Sequence, residues 1–240
     1  MSELLDKIKL KGYWRVIIRP NKYDDKLIES LSDCKKIIEK SRVSLRGWDY
    51  PHVDRQTGII SSSNNSVDSF CDWPEGPVYE YWRFYNTGQF VHYFSMREDL
   101  RLSPQKVKEY QDEYGVKVDK FLSIIGALYS ITEILEFSKR LLTNIENIDS
   151  LEIIIELVGV NNRMLFFWDI FLRETNRAYI CKFKEDKILI KKVYSRDQIC
   201  NLTNEIALDT TIEIFKKFDW DNVDKKIFVE DQKKFLERRL

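Results

Sequence analysis

The chain has 240 residues with 39 Lys plus Arg against 39 Asp plus Glu, so it lacks the basic excess that drives sequence-independent nucleic-acid binding. At 43% hydrophobic and 13% aromatic it is too apolar for a disordered chain, and its length suits one large domain or two small ones tightly joined. No apolar core follows the opening MSELLDKIKLK, and the most apolar long stretch, 121–137, holds Glu133 and Glu136, so neither a signal peptide nor a membrane span is expected.

In chain order, Gly12 opens an extended run over 13–19 that alternates with period two and is closed by Pro20. A helix follows over 25–40, with Leu27, Ile28, Leu31, Cys34 and Ile38 on one face and Asp24 and Asp25 at its positive end. Residues 43–77 read as a long irregular segment with a Ser/Asn-rich mobile tip at 61–66 and a short strand near 67–71. Two aromatic runs flank Asn86-Thr87-Gly88, which predicts a hairpin over 78–96 with Gly88 left-handed. Ser103 and Pro104 are a cap and first residue for a helix that Gly115 stops. Spacings of three and four from Val118 to Leu135 predict one long helix over 118–144.

The second half reads as a buried strand at 151–160 with a hairpin mate at 164–169. A further hairpin joins 179–184 to 188–194 across Glu185-Asp186-Lys187. Ser195 with Gln198 forms a capping box for a final long helix. The charged tail, 223–240, carries Phe228 and Phe235 at positions that suit a short amphipathic helix. The expected class is therefore α+β: mainly antiparallel sheet built from hairpins, with helices on one face and two β-then-α halves, 1–147 and 148–222.

Several chemistries lack their residues. The eight glycines are scattered, the closest pairs being Gly47–Gly58 and Gly115–Gly126, so no loop can cradle a phosphate as a P-loop or dinucleotide fingerprint does. There are two histidines, His52 and His92, with no nucleophile elbow and no zinc-protease motif. The cysteines, Cys34, Cys71, Cys181 and Cys200, are too far apart for a zinc site and read as reduced thiols in a cytoplasmic protein. No cofactor is implied. Glu152, Glu156, Lys182 and Lys184 could be drawn as a carboxylate–lysine nuclease site, but strand alternation of exposed charges accounts for them.

Two places concentrate recognition chemistry. One hairpin face carries Trp82, Phe84, Phe90, His92 and Phe94 and reads as core. The other carries Tyr79, Tyr81, Arg83, Tyr85, Val91 and Tyr93. Tyrosine and arginine suit a protein interface or base stacking on a sheet, and a covering helix would equally account for them. The second place is the 44–55 loop, where Arg46, Trp48, Asp49, Tyr50 and His52 mix cations, carboxylates and rings. Asp49, His52 and Asp54 define no metal geometry at that spacing.

The strings GYWRVIIRP (12–20), VSLRGWDYPHVDR (43–55), YWRFYNTGQFVHYFSMRED (81–99) and LYSITEILEFSKRL (128–141) resemble an uncharacterised family of bacterial proteins that accompanies Schlafen-type ATP-binding proteins and mobile or antiphage-defence loci. The resemblance supplies no catalytic residues. It implies a bacterial accessory, sensor or adaptor role.

Three functions are compatible with these features. The first is a non-catalytic sensor or adaptor that binds a protein partner or itself through the tyrosine face and the loop. The second is a single-stranded nucleic-acid-binding protein or nuclease subunit using the same face. The third is a small-molecule enzyme or sensor with a pocket under the 44–55 loop.

Overall fold

The computed structural model describes residues 2–73, 78–168, 173 and 175–239. Helix α1 (Ser2–Lys9) leads into β1 (Tyr13–Pro20), α2 (Leu31–Ser41) and the two-residue strands β2 (Val43–Ser44) and β3 (Asp49–Tyr50). Strands β4 (Ile60–Ser63), β5 (Ser66–Trp73), β6 (Val78–Tyr85) and β7 (Phe90–Ser95) follow as a meander. Then come α3 (Glu98–Arg101), α4 (Pro104–Tyr114), β8 (Lys120–Ser123) and α5 (Ile124–Asn144). The chain continues as β9 (Ser150–Val158), β10 (Arg163–Phe166), β11 (Lys187–Ser195), α6 (Arg196–Lys216) and α7 (Lys225–Leu236).

The class is α+β. Seven strands form one antiparallel sheet in the order β11-β9-β1-β7-β6-β5-β4. β1 sits between β9 and β7, so strands from both halves of the sequence share this sheet. Inward residues Trp14, Val16 and Ile18 of β1 and Trp82, Phe84 and Phe90 of the β6–β7 hairpin pack against α2, α5 and α6. The hairpin has the register its alternation implies, with Trp82 opposite His92 and Phe84 opposite Phe90, and Gly88 turns it at φ +77°. Helices are not confined to one face. α1 lies on the other, where Leu4 and Ile8 cover part of it. Among the described residues no helix is long and apolar enough to cross a membrane.

Several sequence expectations need correction, each for a local reason. α2 begins at Leu31 because the Ser30 side chain accepts from Asp33 N at 3.1 Å and caps it there; Leu27 and Ile28 pack while still outside the helix. The Ser/Asn tract is a β4–β5 hairpin tip, tied to the neighbouring turn by Asn86 N donating to Asn65 O at 2.9 Å. The long helix starts only at Ile124, since Ser123 caps it and the preceding 120–123 are strand β8.

Residues 163–166 do not fold back on β9. Gly159 and Asn162 adopt left-handed conformations that turn the chain out of the large sheet, and β10 pairs in parallel with β8. β9 takes β1 and β11 as partners instead, so the 179–184/188–194 hairpin does not form. Residues 179–181 bond to β10, with Leu165 N donating to Tyr179 O and Cys181 N to Arg163 O, each at 2.9 Å. The charged tail is α7, docked on α5 and α6 by the fully buried Phe228 and Phe235.

The capping box at the start of α6 forms as the sequence implies: Ser195 Oγ accepts from Gln198 N, and Gln198 reaches back to Ser195 N. Ser195→Ala should therefore cost about 1 kcal/mol of stability, read as a lowered urea midpoint. An unchanged midpoint would mean that packing alone holds that helix end.

Candidate functional site

The two concentrations of recognition residues fare differently. On the outer sheet face, α1 lies over Tyr79, Tyr81 and Tyr93 together with Tyr13 and Phe70. Tyr81 is buried, and its hydroxyl meets Asp68 at 3.3 Å; Arg83 grips the same buried carboxylate through Nε at 3.2 Å and Nη2 at 2.8 Å. Lys9 and Arg15 lie over the Tyr93 ring at 5.9 and 6.0 Å, and Tyr85 is half-buried. Most of these rings are thus covered, and the arginine is committed to Asp68. Glu152 and Glu156 are likewise paired, with Arg19 and Lys191 and with Arg15, respectively.

The 44–55 loop is built differently. It folds over the inner end of the β6–β7 hairpin and is pinned there from both sides. His52 N donates to Glu80 Oε1 at 2.9 Å, and Trp82 Nε1 donates to His52 O at 2.6 Å. Asp49 is held by Arg42 at 3.1 Å and by Ser44 Oγ. The Tyr50 ring inserts edge-on against His92, Phe94 and Phe137. Trp48 stacks on His52 (centroids 3.9 Å apart) and on Trp73 (6.1 Å), forming an aromatic rim.

Beneath this loop lies a cavity of about 150 Å³, bounded by the loop, β6, β7, α3 and α5. Trp14, Trp48, Phe94 and Trp168 give it flat apolar walls. Polar groups reach it from four directions: Arg46 from the loop, Glu80 and His92 from the hairpin, Arg97 beside α3, and Glu133 from α5. Arg46 Nη2 donates to Glu133 Oε2 at 2.6 Å and to Ser130 Oγ at 3.2 Å. His92 Nδ1 lies 3.1 Å from the Tyr50 hydroxyl. Its Nε2 lies 2.9 Å from Glu80 Oε1, off the line of a well-formed hydrogen bond.

Burial and neighbouring charge set the protonation of these groups. Burial pushes the Glu80 carboxyl up, but His92 and the His52 N–H outweigh it, and Glu80 ends below its usual range. Glu133 ends above its usual range, because burial outweighs Arg46 and Arg97. Glu98, also at the cavity, is raised by burial, although it accepts from Ser123 N at 2.9 Å. Tyr50 is held well above a free phenol by burial and by the charges of Glu80 and Glu133, so its hydroxyl keeps its proton.

Arg97 stands apart. Burial, and then the like charge of Arg46, lower its guanidinium to about 10. Among the described residues it has no hydrogen-bond acceptor and no carboxylate in ion-pair contact, while its nitrogens are not sealed from solvent. Two donors on cavity-lining residues, Arg46 Nε and Trp48 Nε1, are sealed off without an acceptor.

The larger depression of about 630 Å³ near Arg173, Arg177 and Trp220 is a surface groove whose arginines are already paired, with Asp231 and Asp219. Among the described residues no group of His, Cys, Asp and Glu is arranged to hold a metal. Burial raises the Cys34 thiol to about 11 and the Cys71 thiol to about 12, too high for nucleophiles at neutral pH.

Of the loop residues singled out from sequence, Arg46, Trp48, Asp49 and Tyr50 line the cavity, while His52 serves the rim and the hairpin anchor. Glu80, Arg97 and Glu133 were not expected there. The signal available for Glu80 was its place on the core face, two residues before Trp82. No protein-family model matches this chain, and no curated protein or solved structure matches it significantly.

Proposed function

We propose that the chain is a binding protein for a small organic molecule, received in the cavity under the 44–55 loop, and that it works as a sensor. The observation that carries this reading is the cavity itself, a lined space that holds a guanidinium with no acceptor among the described residues. Charged groups drawn out of water are ordinarily paired, and one left unpaired beside aromatic walls is what a binding pocket looks like before its ligand arrives.

A receptor suits the groups better than a hydrolase does. The hydroxyl within reach of a base, that of Tyr50 beside His92, is held protonated by burial, and Ser130 is engaged with Arg46. The tyrosine face offers less to a partner or a nucleic-acid strand, because α1 covers most of it and Asp68 occupies Arg83. A sensor role is also what the resemblance to bacterial accessory proteins implies.

The test is to purify the protein natively from its host, denature it, and identify the released small molecules by mass spectrometry. Ala127→Leu, which puts three more carbons into the cavity floor, is the control, with its fold checked by circular dichroism. A small molecule released by the wild type and missing from the variant is the expected result. Equal release from both sinks the reading. So does an empty wild type that shows no thermal shift against a panel of small anionic, cationic and neutral compounds.

A further inference from the structure

Resting on that binding reading, we infer that the ligand is a small planar monocarboxylate of about the size of benzoate, with its carboxylate on Arg97 and its ring between the aromatic walls. Size sets the first limit. A cavity of about 150 Å³ is the volume that admits benzene in an engineered protein core, so a single ring with one substituent fills it.

Sign is set by the lining group that is open and without a partner among the described residues. Each carboxylate at the cavity already has a donor: Asp49 takes Arg42 and the Ser44 hydroxyl, Glu80 takes the His52 N–H, Glu98 takes the Ser123 N–H, and Glu133 takes Arg46. Arg46 Nε and Trp48 Nε1 are enclosed without an acceptor, and Glu133 Oε1 and His92 Nε2 are enclosed without a hydrogen-bond partner, so among the described residues the lining group left open to a ligand is the Arg97 guanidinium. A ligand that completes the site brings acceptors and negative charge.

The amount of charge follows from the same inventory. Four carboxyl groups line the space, and among the described residues one guanidinium there, that of Arg97, has no acceptor. A second negative charge on the ligand would sit among Asp49, Glu80, Glu98 and Glu133 with no further unpaired cation inside among the described residues; Arg101, the remaining lining arginine, is exposed to water. A monoanion is therefore favoured over a phosphate dianion. Planarity follows from the partners: a guanidinium meets a carboxylate fork to fork, and Trp14, Trp48 and Phe94 line the space with aromatic side chains.

The experiment is isothermal titration of the full chain with sodium benzoate, with benzamide as the uncharged isostere and with acetate and inorganic phosphate as comparators. Arg97→Gln and Arg97→Lys are run alongside. Arg97 makes no side-chain hydrogen bond among the described residues, so both variants should melt close to the wild type. Benzoate should bind, with benzamide and acetate each at least tenfold weaker and phosphate undetected. Arg97→Gln should weaken benzoate by about 10- to 100-fold, the worth of a hydrogen bond to a charged group, and Arg97→Lys by less.

The inference fails if benzamide binds as tightly as benzoate, if phosphate binds as tightly, if Arg97→Gln keeps full affinity, or if none of the probes binds at millimolar concentration. In any of those cases the broader binding reading still stands, provided that the wild type releases a small molecule that Ala127→Leu does not.

Discussion

Arg163→Met should lower the unfolding free energy by about 3–5 kcal/mol, the cost of stranding one partner of a buried ion pair, measured by urea denaturation at pH 7. Arg163 is fully buried although it is an arginine. Its Nη1 and Nη2 donate to the two oxygens of Asp99 at 2.6 and 2.8 Å, Nη1 also to Phe121 O at 2.6 Å, and Nε to Gly159 O at 2.9 Å. Asp99 in turn accepts from Gly12 N at 2.7 Å. One side chain thus ties β10 to α3, to β8, to the turn after β9 and to the start of β1. Methionine fills similar space and satisfies none of those acceptors, leaving the Asp99 carboxylate and two carbonyls short of a donor.

The glycines around this junction are needed for room. A Cβ on Gly12 would stand 2.2 Å from Arg163 Nη2, and one on Gly159, already at φ +80°, would stand 2.9 Å from Gly12 Cα. Gly12→Ala should therefore destabilise in the same direction. A loss below about 1 kcal/mol for Arg163→Met, the range of an exposed pair, would mean that the junction is not what holds β10 away from the large sheet.

What could be read in the sequence was whatever local chemistry decides. The β6–β7 hairpin, the Ser103-Pro104 start and Gly115 stop of α4, and the Ser195 box each depend on residues within a few positions of one another. Strand pairing was misread where it depends on distant chain. The apolar residues Leu151, Ile153, Ile155 and Leu157 say that one face of β9 is buried, but not that β1 and β11 flank it. Nothing near residue 163 announces that its arginine will pair with Asp99.

The candidate site divides in the same way. Its loop half is contiguous and stood out as a cluster of unusual residues. Its other half, Glu80, His92, Arg97 and Glu133, comes from β6, β7, the start of α3 and α5, which only the fold brings under the loop. The trace these residues left in the sequence was polarity out of place: Glu80 on the core face of a strand, and Glu133 among the apolar residues of a buried helix, where carboxylates are not kept without a partner.

That partner gives the second large effect. Arg46→Met should cost about 3–5 kcal/mol at pH 8 and much less at pH 5. Glu133 is almost fully enclosed, and Arg46 is the only cation in contact with it among the described residues. Its folded-state carboxyl already ends above the ordinary value, despite Arg46 and Arg97 acting to lower it. A carboxyl raised on folding imposes no penalty below its unfolded value; the penalty grows as pH rises from there towards the folded one. Removing Arg46 raises the folded value further and extends that window upward, each added unit being worth about 1.4 kcal/mol. The stability difference between wild type and variant should therefore widen with pH, as urea titrations from pH 5 to 8 would record. Arg46→Met with Glu133→Leu removes both charges, so the added pH slope should disappear and most of the stability return. A small loss in the single variant, flat across pH, would mean that Arg97, whose field already reaches Glu133, has swung into the place of Arg46. Benzoate titration of that variant would then find the anion site occupied from within, and its affinity lost along with the free guanidinium.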